Sequence, residues 1–287
     1  MKYLKYILIF LVIVIPCVIT VLIYNDKITQ DSPVYYKQGV EFYDKGDYQN
    51  AYYNFCKIKW ISPLYPMAVY KQAKSAQLAG DYRTAAAKYK IFLEKLPESI
   101  FDLQAKLNLG KSYYYLKQYE EARIPFEELA QKTNNDGTEE IYFLGLIEKN
   151  FDKEKAADYF RRYLETALSG NALNNKYIMA SAEELAAVGI DLKDKDMLLI
   201  GQAYFKNRQY KEALKYFSKL PVDKCWDYLV LANHYSGHSI ISKKLIETGL
   251  NEFSKDANDD NLHDIYNIYS EYLKGTKVKN WHQNCDG

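Results

Sequence analysis

The chain opens on an unbroken apolar run and then changes period. From Tyr6 to Tyr24 it reads YILIFLVIVIPCVITVLIY, nineteen residues without a charge. A helix rising about 1.5 Å per residue makes that run long enough to cross a hydrocarbon core about 30 Å thick. Past Asn25-Asp26-Lys27 the apolar positions recur three and four apart with charges between them, the pattern of amphipathic helices, and this continues to about residue 275. Four segments follow: 1–30 as a membrane anchor, 31–170 as regular helical repeats, 171–275 as further helices, and 276–287 as a loose tail.

The helical part repeats itself. Gly46-Asp47-Tyr48 recurs as Gly80-Asp81-Tyr82, Ala51 as Ala85, Phe55 as Tyr89 and Pro63 as Pro97, each at an offset of 34. A period of that length accommodates helix, turn and helix. Glycine at the turn takes a left-handed backbone that ends the first helix, and the aspartate beside it caps the second. Ala51 and Ala85 are small where two helices cross, and Phe55 and Tyr89 fill the space one turn later. Pro63 and Pro97 close each hairpin, because proline cannot continue a helix.

A third hairpin carries Leu109, Gly110, Tyr113, Ala122, Phe126 and Leu129, with Pro125 expected to bend its second helix or delay its start. A fourth keeps Gly145, Ala156 and Phe160 with a turn one residue short, and a fifth keeps Gly201, Tyr204, Ala213 and Phe217. The stretch NALNNKYIMASAEELAAVGI between them reads as one unpaired helix that breaks the register. After Pro221 a degenerate helix pair and a final capping helix complete the array.

These residues resemble the tetratricopeptide repeat. The resemblance implies an all-α fold, a right-handed superhelical solenoid of helix hairpins preceded by a transmembrane helix, with a concave groove lined by the first helix of each hairpin. The groove positions fall on Tyr36, Tyr43, Tyr70, Lys74, Gln77, Gln104, Lys111, Tyr114 and Gln202. Rings with Lys and Gln between them suit an extended protein or peptide segment, or a peptidoglycan glycan strand.

The runs SPLYPMAVYKQAKSAQLAGDYRTAAAKYKIFLEKLPES and LANHYSGHSIISKKLIETGL also look like the helical region that precedes the catalytic domain of soluble-type lytic murein transglycosylases. That resemblance covers roughly residues 32 to 274. The Glu-Ser dipeptide of those enzymes occurs as Glu98-Ser99, at a hairpin junction and not on an apolar helix. No Gly-Leu-Met-Gln stretch follows it. The resemblance therefore implies a substrate-guiding region without its catalytic part.

Composition narrows the partners. Thirty-eight Lys and Arg against 37 Asp and Glu leave a net charge of +1, which argues against a nucleic-acid footprint. Lys2 and Lys5 with the terminal amine, against Lys27 and Lys37, favour a cytoplasmic N-terminus with the bulk of the chain on the periplasmic side. Cys56, Cys225 and Cys285 lie far apart without a CxxC spacing. His234 and His238, four apart with Cys225 upstream, are a metal-ligand pattern without an orienting carboxylate. Nucleophile triads and phosphate-binding glycine loops are absent from the sequence. The expectation is a membrane-anchored scaffold or binding protein of the cell envelope, not an enzyme, with no cofactor.

Overall fold

A computed structural model describes residues 2–95, 99–132, 139–170 and 176–283. The described residues are helical, joined by turns and one short 3-10 turn. They form two compact units, residues 1–129 and 130–287. The first holds α1 (Lys2–Asp44), α2 (Tyr48–Cys56), α3 (Tyr65–Leu78), α4 (Tyr82–Lys95), α5 (Asp102–Tyr115) and most of α6 (Tyr119–Lys132). The second holds α7 (Glu139–Glu148), α8 (Lys153–Leu168), α9 (Ile178–Ala187), α10 (Asp194–Lys206), α11 (Tyr210–Phe217), α12 (Trp226–Tyr235), α13 (Ser239–Phe253) and α14 (Asp259–Gln283).

Each regular hairpin is locked by one contact. In α1, a methyl group added to Gly39 would lie 2.6 Å from the Phe55 ring of α2. Gly110 meets Phe126 at the same 2.6 Å, Gly145 meets Phe160 at 2.6 Å, and Gly201 meets Phe217 likewise. In the second hairpin Ala73 and Tyr89 take these places, both fully buried in one apolar cluster. The aromatic follows the small residue by sixteen positions, or by fifteen in the fourth hairpin, whose turn is one residue short. Ala51, Ala85, Ala122, Ala156 and Ala213 are fully buried, so the second helix presents no bulk ahead of its ring.

The turns follow the sequence pattern with one substitution. Gly46 and Gly80 have φ of +79° and +83°, a conformation that costs glycine nothing. Asp47 Oδ1 accepts from the Asn50 amide at 3.2 Å and Asp81 Oδ1 from the Thr84 amide at 3.0 Å. These bonds, those of the Asn50 and Thr84 side chains foremost, hold both carboxyls below the usual range. The third and fifth hairpins place Lys117 and Arg208 where glycine is expected, with φ of +59° and +60°. These two turns are strained.

The structure bears on four expectations. First, the apolar N-terminal run and the first helix of the repeats are one element. α1 is one helix of 43 residues that runs through Pro16 and Pro33, about 65 Å at 1.5 Å per residue. The Thr20 hydroxyl donates to the Pro16 carbonyl at 2.8 Å, and the Ser32 hydroxyl to that of Ile28 at 2.6 Å. Second, of the two effects expected of Pro125, a bend or a delayed start, the delayed start is absent: α6 begins at Tyr119, as α2 begins at Tyr48 and α4 at Tyr82, and continues through Pro125. The Pro125 ring is buried, so packing offsets the lost backbone bond.

Third, α9 is not unpaired. It packs on both α8 and α10, burying Ile178, Ala182 and Leu185. Arg161 of α8 reaches past it to the buried Asp196 of α10, Nε to Oδ1 at 2.5 Å. Fourth, α14 continues to Gln283, into the stretch expected to be a tail. The degenerate hairpin inverts the motif, because Trp226 of its first helix sits over Gly249 of its second. The Trp226 indole donates to the Leu245 carbonyl at 2.9 Å. Pro97 and Glu98 lie outside the described residues.

α1 is also the helix long and apolar enough to cross a membrane, with mean hydropathy 1.9 in its most apolar window.

The strained turns give a direct prediction. Lys117→Gly should raise thermal stability, by about 0.5–1 kcal/mol once the extra freedom of glycine in the unfolded chain is subtracted. Gly80→Ala should lower it. Thermal melts followed by circular dichroism test both.

Candidate functional site

The expected groove residues of the first unit lie on the first helices of its hairpins, α1, α3 and α5. Their environments divide them. Tyr70 is core. It is 5% exposed, stacked on Phe101 at 5.0 Å and tilted against Phe92 at 5.3 Å. Burial accordingly pushes its phenol up. Gln77 is a structural bridge, accepting from the Tyr89 hydroxyl at 3.0 Å and donating to the Asn108 carbonyl at 3.3 Å. That bond satisfies the hydroxyl of a fully buried ring. Tyr36 is half-buried with its edge against Phe55 at 5.5 Å, and Tyr114 packs on Tyr115 and Tyr119 at 5.6 and 5.8 Å.

What remains at the surface is centred on Tyr43. Its ring meets Tyr48 edge-on at 5.5 Å, and two ammonium groups stand over it, Lys71 at 4.8 Å and Lys74 at 5.9 Å. Burial pushes the Tyr43 phenol up to about 12, with Tyr48, Tyr70 and Asp44 adding to it. Burial also pulls the Lys71 ammonium down, the charge on Lys74 adds to this, and Asp44 opposes it. Neither lysine has a carboxylate within 4.0 Å among the described residues. Two like charges held on one ring favour an anion beside them. On α5, Lys111 is half-buried and Gln104 exposed.

Of the two lysines over Tyr43, the groove register named Lys74 and not Lys71. The signal was present, since residues three apart share a helix face. Gln202 belongs to the second unit, where its side chain bonds the Tyr228 hydroxyl.

The histidine pattern does not assemble. The His234 ring pairs with the Tyr272 hydroxyl at 2.8 Å, while His238 is exposed and turned to Ser236 at 3.4 Å. Cys225 is buried, its Sγ facing the Phe217 carbonyl at 3.6 Å, and burial pushes the thiol up to about 12. Among the described residues, no three His, Cys, Asp or Glu side chains are grouped to hold a metal ion.

The repeating geometry agrees with family comparison. Models of the tetratricopeptide repeat match residues 70–137 and 197–221. The chain is a tetratricopeptide repeat protein. Those tetratricopeptide matches cover the second and third hairpins and the fifth. RNA polymerase-associated protein CTR9 of Saccharomyces cerevisiae is 30% identical over 203 residues, 62% of this chain and 17% of that protein. The chain thus matches only a small part of that relative's length.

Among solved structures, MamA of Desulfovibrio magneticus RS-1 is 17% identical with a TM-score of 0.44, covering 66% of this chain and 92% of that one. PilF of Pseudomonas aeruginosa is 17% identical with a TM-score of 0.41, covering 88% and 99%.

The division into core and surface is testable residue by residue. Tyr70→Ala should cost about 3–5 kcal/mol, as for other buried aromatics. Gln77→Ala should cost about 0.5–1.5 kcal/mol by removing one of the Tyr89 hydroxyl's partners, the Asn108 side chain remaining as the other. Gln104→Ala, at an exposed position, should stay within about 0.5 kcal/mol of the parent in chemical denaturation.

Proposed function

We propose that the chain is a membrane-anchored scaffold of the cell envelope that holds a protein or peptide segment against the first-helix face of its first unit. The observation that carries this reading is the Tyr43 ring with Lys71 and Lys74 over it and, among the described residues, no carboxylate within 4.0 Å of either, Asp44 acting on Lys71 only from farther off. A segment with a carboxylate would relieve the repulsion between the two ammonium groups and could also lie against the ring. Binding protein or peptide partners is the general work of tetratricopeptide repeats, and the charge pattern makes the favoured segment acidic.

The anchor adds position. If residues 6–24 span the bilayer, the unbroken α1 carries Tyr36 about 18 Å and Tyr43 about 29 Å along its axis beyond Tyr24. The partner is then met close to the membrane surface, with no flexible tether between span and site. The lysines at positions 2 and 5 favour the N-terminus on the cytoplasmic side and the repeats outside.

One experiment covers both parts. Full-length protein should stay with membranes through high-salt and alkaline washes. In neutral-lipid nanodiscs it should bind a fluorescent peptide of alternating Glu and Ala. Lys71→Ala with Lys74→Ala should weaken that binding at least about tenfold, near 1.4 kcal/mol. Unchanged binding, or retention on purified peptidoglycan in place of the peptide, would count against the reading. Release of a soluble form beginning near Asn25 would remove the anchor from it.

A further inference from the structure

α5 has two working faces. At 3.6 residues per turn, Gln104 and Lys111 lie on one side of it, while Lys106, Leu109 and Tyr113 lie nearly opposite. The second side closes a pocket of about 520 Å³ with α4 and α6. Its walls are mainly apolar, from Leu93, Leu109, Tyr113, Ile124 and Pro125. That volume is within the range of ordinary ligand sites.

The pocket has a cause in the repeat. One turn before the small residue of each first helix, the other regular hairpins carry Tyr35, Val69, Ile141 and Met197. The third hairpin carries Lys106. Its ammonium is drawn to Glu128 at 2.8 Å and lies 3.9 Å from Asp102. The hydrogen bond to Glu128 pushes its pKa up, so it stays charged. The room of an apolar side chain is therefore left open between three helices.

The mouth of this pocket is acidic. Asp102, Glu94, Glu121 and Glu128 line it against Lys90 and Lys106. Lys106 is already engaged by Glu128 and Asp102, whereas Glu94 and Glu121 have no ion-pair partner among the described residues.

We infer that this pocket is a second binding site, which takes a leucine- or aromatic-sized side chain from a partner segment carrying Lys or Arg next to it. The apolar walls receive the side chain, and Glu94 and Glu121 receive the cation. This site is distinct from the Tyr43 face in position and in charge preference, so one chain can hold two differently charged segments.

The test uses full-length protein in neutral-lipid nanodiscs and a fluorescein-labelled pentapeptide, Lys-Leu-Trp-Lys-Gly, read by fluorescence polarisation against empty nanodiscs. The peptide should bind at least tenfold more tightly than its counterpart with Glu in place of Lys. Lys106→Met, which restores the apolar residue of the fifth hairpin, should fill the pocket and lower affinity at least tenfold without lowering the melting temperature. Glu94→Gln with Glu121→Gln, both surface changes, should lower affinity and flatten its salt dependence, while Lys71→Ala with Lys74→Ala should leave it unchanged. Equal binding of the Glu peptide, wild-type affinity in Lys106→Met, or dodecanoate binding as tightly as the peptide would overturn the inference.

Discussion

The fold depends on how closely two helices approach where a residue without a side chain faces an aromatic ring. At Gly39, Gly110, Gly145 and Gly201 there is no room for even a methyl group beside the partner phenylalanine. Close packing of this kind fixes the crossing of the two helices, because a ring seated on a backbone cannot slide without losing many contacts at once. Helix spacing, the burial of the alanines and the placing of each turn follow from it. The second hairpin shows how far the rule bends, accepting Ala73 opposite a tyrosine whose hydroxyl is then satisfied by Gln77 and Asn108. The Trp226–Gly249 pair shows the same solution with the roles of the helices exchanged.

Much of this was legible in the sequence because size and period are local properties. The 34-residue spacing, the left-handed glycines and the aspartate caps could be read from single positions, as could the buried alanines. What escaped was decided by neighbours that the pattern does not name. Tyr70 occupies a groove position by register, yet Phe92 and Phe101 enclose it. α9 looked unpaired because its contacts are made to helices on both sides of it. The path through Pro125 depended on burial of the ring, which no helix rule supplies. Lys71 and Lys106 were visible as letters, but their importance lies in what they lack or displace.

The two lysine features give the repeats their specific character. In one, two cations are gathered on a tyrosine with no carboxylate in ion-pair contact among the described residues. In the other, a cation stands where the repeat expects an apolar side chain and is pulled aside by carboxylates, leaving a pocket. They sit in the same compact unit, and that unit begins in the helix that carries the apolar N-terminal run. The proposed scaffold thus has its proposed recognition surfaces in the unit that contains its proposed anchor.

The central claim is that a glycine-to-ring contact sets each hairpin, and it is tested most directly by a double-mutant cycle at Gly110 and Phe126 in chemical denaturation. Helix propensity alone says Gly110→Ala should stabilise by about 0.5–1 kcal/mol. The contact says it should destabilise by about 1–3 kcal/mol. The account predicts that loss, and predicts that Phe126→Leu in the same chain recovers part of it, with a coupling energy of at least about 0.5 kcal/mol. A stabilising Gly110→Ala, or strictly additive effects of the two changes, would contradict it.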